Sequence, residues 1–181
     1  MGILELWLPI LVSSIFVFVM SALVWMVMPW HKSDFRKTAD EEAVRAALKG
    51  TAPGLYMLPY CTNPAELKDE KVAQKYIDGP QAYITVIPNG LPKMGGKLIL
   101  SFLYYVFVGI LCAYMVTRTV PVDAGYLQVF RVAGTTAFIA HGIAYFQDSI
   151  WFGRSWALTA KGLLDALMYG LLTGGAFGWL V

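Results

Sequence analysis

Residues 6–28 read LWLPILVSSIFVFVMSALVWMVM, a run of about 23 residues without a charge. As a helix rising 1.5 Å per residue it is long enough to cross the roughly 30 Å of hydrocarbon in a bilayer. A helix also satisfies its backbone amides internally, as lipid demands. Three further apolar runs follow, from Leu98 to Thr117, from Ala124 to Phe146 and from Trp156 to Val181. Arg118 and Pro121 punctuate the first turn between them, and Gln147-Asp148-Ser149 with Gly153-Arg154 supply the second. The chain is therefore expected to be an α-helical integral membrane protein with four transmembrane helices. Residues 1–29 carry transmembrane helix 1, residues 30–97 form a small α/β domain inserted between helices 1 and 2, and residues 98–181 form a three-helix region (98–117, 124–146, 156–181).

Charge is distributed to match. Mean hydropathy is +0.57 and only 14% of residues are charged, against about a quarter in soluble domains. Ten of the fourteen Lys and Arg and eight of the twelve Asp and Glu lie between His31 and Lys97, which leaves the apolar runs nearly bare. A net charge of +2 says little about partners, and no basic stripe with interleaved aromatics points to nucleic acid. The first run is expected to be retained rather than cleaved, because Met-Gly-Ile-Leu-Glu is no basic leader and no small-residue cleavage site precedes Pro29. Leu6 stands where a myristoylation signal needs Ser or Thr.

Four crossings place both termini on one side and the polar domain with the 147–155 loop on the other. Near the span ends, Lys32, Arg36, Lys37, Lys93, Lys97 and Arg154 crowd the domain side, whereas Arg118 and Arg131 fall on the other. The excess of Lys and Arg predicts a cytoplasmic domain and periplasmic termini. Trp7 and Trp179 would mark the outer boundary, and Trp25, Trp30, Trp151 and Trp156 the inner one.

Within the inserted domain, Thr38-Ala39-Asp40-Glu41 reads as a capping box opening a short helix that stops at Gly50. Leu55 to Leu58 suggests a strand, Asn63-Pro64-Ala65-Glu66 opens a second helix ending near Ile77, and Ala82 to Ile87 suggests a second strand. Two strands make a marginal sheet, so this domain is expected to lean on another surface. Lys68, Asp69, Glu70, Lys71 and Lys75 read as the solvated face of its second helix. Cys61 and Cys112 fall in different regions and show no metal-ligand spacing, and no metal or cofactor is expected.

Ionisable residues in apolar helices cost on the order of 3 kcal/mol each, so they mark either a site or a structural lock. His141, Lys161 and Asp165, with Asp148 and Arg154 at the hairpin mouth, are expected to form a polar cluster at the domain-side end. Lys161 and Asp165 stand four apart, a spacing that permits an ion pair within the helix. Arg131 would snorkel or pair with Asp123, and Gln128, Thr135 and Thr136 could bond between helices.

Gly162, Ala166, Gly170, Gly174 and Gly178 recur every four residues and line one side of the last helix with small residues, a face built for close backbone approach. Gly175 widens it. Its occupant is open between this chain's own helices, around Gly109 and Ala113 or Gly134 and Ala137, and a helix from another chain.

The segments Pro29-Trp30-His31-Lys32-Ser33-Asp34-Phe35 and Asp148-Ser149-Ile150-Trp151-Phe152-Gly153-Arg154 resemble those of a family of bacterial four-helix inner-membrane proteins to which no activity is assigned. The resemblance implies a bacterial plasma-membrane setting and supplies neither activity nor cofactor. Physically, both segments join aromatic anchors to charged tips. Three functions fit the residues: a non-enzymatic subunit or scaffold of a membrane assembly, packing through the small-residue face; a proton-coupled small-solute transporter or channel using the His/Lys/Asp cluster; and a membrane-embedded enzyme. The partners expected are the lipid bilayer and either other membrane subunits or further copies of the chain. Haem ligation by His31 or His141 is a further reading, although a lone histidine more often serves as a hydrogen-bonding residue.

Overall fold

Four helices long and apolar enough to cross a membrane, over Ile3–Val27, Met94–Thr119, Tyr126–Phe152 and Trp156–Leu180, dominate a computed structural model that describes residues 2–181. In chain order the helices are α1 (Trp7–Ala22), α2 (Glu41–Ala47), α3 (Glu70–Asp78), α4 (Met94–Thr119), α5 (Tyr126–Gly142), α6 (Ala144–Phe152) and α7 (Trp156–Leu180), and the strands are β1 (Gly54–Leu58) and β2 (Ala82–Val86). Contacts divide the chain into two units, Met1–Arg36 with Lys93–Val181, and Lys37–Pro92. Residues 30–36 and 93–97, read from the sequence as part of the inserted domain, thus belong with the long helices.

In the helical unit, Leu6, Ile10, Val116, Val129, Ala133 and Phe177 meet in one apolar core drawn from all four long segments. The last helix is the central one: 44% of its apolar window is buried, against 28% for each of the others. Its small residues explain how. A Cβ built on Gly170 would lie 2.8 Å from the carbonyl oxygen of Gly134, and one on Gly174 would lie 2.8 Å from that of Phe130. Gly162 and Gly178 are covered by the rings of Tyr145 and Tyr126, each 2.7 Å from a built Cβ, and Ala166 faces Gly142. The face is therefore occupied along its length by α5 and α6 of the same chain. Gly134 is the facing residue, whereas Gly109 receives Ile10 of α1 instead.

The third span runs further than its composition suggested. After an interruption at Ile143 the helix continues to Phe152, so Gln147, Asp148 and Ser149 lie on α6 and not in a loop. Nothing in Gln-Asp-Ser-Ile-Trp-Phe breaks a helix. The first stop is Gly153, which takes a left-handed φ of 65° that a side chain would disfavour. Thr136 bonds the Val132 carbonyl of its own helix at 2.7 Å and makes no bridge between helices, and among the described residues no ion pair joins Arg131 to Asp123.

The Lys37–Pro92 unit is a two-stranded antiparallel sheet with its helices, paired from Gly54↔Val86 to Leu58↔Ala82. Its first helix starts two residues later than the capping-box reading, because the Asp40 carboxylate takes the cap and accepts from Ala43 N at 2.9 Å. The second helix is split. Asn63 caps a 3-10 turn over Pro64–Lys68, and Asp69, whose carboxylate accepts from Lys71 N at 2.8 Å, starts α3. No residue of α2, α3, β1 or β2 is buried, so these elements supply no core of their own.

Candidate functional site

At its C-terminal end α1 relaxes into a π-helical turn over Leu23–Val27, and Pro29 then opens a 3-10 turn over Trp30–Ser33. Wider helical turns of this kind recur at functional sites. Here the result is a flat stack of Trp25 on His31, with ring centroids 4.1 Å apart and planes 7° from parallel. Three residues on from His31 comes Asp34, one turn away, and its Oδ2 lies 2.5 Å from His31 Nδ1.

The other imidazole nitrogen, Nε2, lies 2.9 Å from Asp165 Oδ2 on α7. One turn earlier on α7, the Lys161 ammonium donates to Asp34 Oδ1, to the Trp30 carbonyl and, at 3.1 Å, to Ser33 Oγ. Asp34, His31 and Asp165 keep only 5%, 6% and 4% of their side-chain surface. The in-helix pair between Lys161 and Asp165 is thus replaced by two pairs across to residues 31–34. Base before acid is the weaker order along a helix, and the facing segment offers each group a better partner.

The imidazole therefore meets a carboxylate at each of its two nitrogens. Lys161 and His31 thus face Asp34 and Asp165 across the gap between residues 31–34 and α7, and each polar group gains a partner, as burial requires. Both His31 nitrogens are taken, so neither is free for a metal, and among the described residues no group of three His, Cys, Asp or Glu forms a metal site. One carboxylate oxygen, Asp165 Oδ1, is buried with no partner among the described residues, as is Trp30 Nε1.

Burial pushes the Asp34 carboxyl up, but the hydrogen bonds and charges of Lys161 and His31 outweigh it and hold the group below its ordinary 3.8. A depressed carboxyl adds stability above the unfolded value of 3.8, and that contribution is lost as pH falls through the lower folded value. We expect denaturant unfolding of the helical unit in micelles to show a loss of stability on passing below pH 3.8, and Asp34→Asn to lack that component. An unchanged acid limb in the variant would assign the loss to other carboxylates.

Of the remaining residues singled out from the sequence, Asp148 and Arg154 border this cluster and His141 stands apart. Asp148 and Arg154 pair at 3.0 Å beside a cavity of about 360 Å³, lined also by Trp25, His31, Asp34 and Tyr145. Ser149 and Thr159 hydroxyls, 2.5 Å apart, fasten α6 to α7 beneath it. His141 joins neither group. Its ring sits among those of Tyr104, Tyr105 and Tyr169, at 5.4, 5.8 and 5.3 Å between centroids. His31 and Asp34 are the members that sequence reasoning missed. Their spacing of three, immediately after a charge-free span, was the available signal.

No protein family, curated protein or solved structure matches this chain significantly.

Proposed function

We propose that the chain is a multi-pass protein of a bacterial inner membrane, with residues 37–92 in the cytoplasm and both termini periplasmic, acting as a non-enzymatic subunit or scaffold of a membrane assembly. The observation that carries this reading is the closed state of the bundle. The polar cluster pins residues 30–34 to α7 through the His31–Asp165 and Lys161–Asp34 contacts. The opposite half packs Leu6, Ile10, Val116, Val129 and Phe177 into a buried apolar core, which opposes passage of a polar solute. Lys32, Arg36 and Arg154 near the span ends support the cytoplasmic assignment. Because the small-residue face of α7 is filled from within the chain, contacts with other subunits must use a different surface.

A proton-coupled carrier is the second reading. It is favoured by the His31–Asp165 bond together with Tyr169 and His141 further along the helices, a polar series that enters the bundle from one end. Purification in mild detergent, with mass analysis of co-migrating proteins, separates the two. A foreign subunit in fixed stoichiometry is expected. A homo-oligomer that moves protons into liposomes, and stops doing so on Asp165→Leu, would overturn the subunit reading in favour of the carrier.

A further inference from the structure

The cavity beside Arg154 does not end there. A second hollow of about 550 Å³ adjoins it, and Asp34, Arg154 and Leu158 line both. Trp25, Phe35 and Tyr145 give the first an aromatic wall, whereas Ser33, Arg36, Ser155 and Lys161 give the second a cationic and hydroxylic one. One cleft therefore has an apolar end and a positive end, which is the build of an amphiphile. We infer that it holds the phosphodiester of an anionic glycerophospholipid between Arg36 and Arg154, with the first acyl carbons against Trp25 and Phe35. This rests on the membrane reading above.

Charge favours that occupant. Among the residues that line the cleft, the three cations Arg36, Arg154 and Lys161 face only the two carboxylates Asp34 and Asp148. Asp34 is fully engaged by His31 and Lys161 and has little left to repel an anion. Arg36 has no ion-pair partner among the described residues. Arg154 keeps 59% of its side-chain surface and has one nitrogen on Asp148, so the rest of its fork is available to phosphate oxygens. Basic pockets of this kind at the ends of membrane helices suit anionic headgroups. A free phosphate would use the cationic end and leave the aromatic end without a role. Trp151 and Trp156, 68% and 60% exposed, stand close to Arg154 in the chain and are accessible in the manner of rings at headgroup level.

The test uses the full chain, delipidated in detergent and titrated with phosphatidylglycerol in native mass spectrometry, with inorganic phosphate as competitor. Each cation near an anionic headgroup contributes about 1 kcal/mol, close to a fivefold change in affinity. Arg36→Gln should weaken lipid binding about fivefold, and Arg36→Gln with Arg154→Gln about 25-fold. Arg118→Gln, at the opposite end of the bundle, should leave it unchanged, and millimolar phosphate should not displace the lipid. Arg36 has no ion pair to lose, so its single variant keeps the proposal testable if the double variant unfolds. Wild-type affinity in the Arg36→Gln protein, or displacement of lipid by phosphate, overturns the proposal. Alkaline extraction of membranes separates the two levels: a chain that resists extraction while its variants bind lipid normally loses only the lipid site, and a chain that washes off loses the membrane reading as well.

Discussion

Asp34→Ala is expected to destabilise the helical unit by about 3–5 kcal/mol, the penalty for leaving buried charge without its partner. It should be the most damaging single change in the polar cluster, because one carboxylate serves both His31 and Lys161. Asp165→Leu should cost less. It releases only the His31 Nε2 bond, and its Oδ1 already lacks a partner. The pairing is best read by double-mutant cycles on chemical unfolding in mixed micelles. Coupling of about 1–3 kcal/mol is expected for Asp34 with Lys161 and for His31 with Asp165, and a smaller value for Lys161 with Asp165. A dominant Lys161–Asp165 coupling would restore the in-helix pair that their spacing permits and would remove the lock between residues 30–34 and α7.

Gly170→Leu is expected to break the contact between α5 and α7. Even the Cβ of Gly170→Ala would lie 2.8 Å from the Gly134 carbonyl oxygen and 3.3 Å from the Phe138 nitrogen, both main-chain atoms that cannot rotate aside. Overpacking of this kind costs about 1–3 kcal/mol for the alanine, with more for leucine as the helices are forced apart. Gly175→Ala, by contrast, meets nothing nearer than the Tyr126 hydroxyl at 3.9 Å and should be close to neutral. Thermal stability in one detergent would compare the three. Equal tolerance at 170 and 175 would mean that the close approach is not made in the folded protein.

Length and hydropathy made the four long helices legible because both depend on local sequence. Asp148 shows where that stopped. A polar triplet, Gln147-Asp148-Ser149, looks like a loop, yet it carries no breaker, and the backbone stays helical until Gly153. The cluster was half visible. Lys161 and Asp165 announce themselves as charges within an apolar helix, but their partners lie outside the apolar runs, in a segment whose aromatic and basic residues look like a membrane boundary. Only the fold brings residue 34 to residue 161. His141 was drawn into the cluster by depth alone, since sequence gives the height of a residue along a helix but not its rotation about the axis. In the folded bundle that rotation turns it toward Tyr104 and Tyr105 on α4.

The pins that close the cluster join positions 127 and 134 residues apart. At about 5–20 residues per second a ribosome needs roughly 6–25 s to deliver Lys161 after Asp34 has been made. For that interval the first apolar helix stands complete while the histidine and acid at its end await their counterions. Nascent chains stopped before α7 should therefore be the species that quality-control proteases recognise, and α7 is the helix that commits α1.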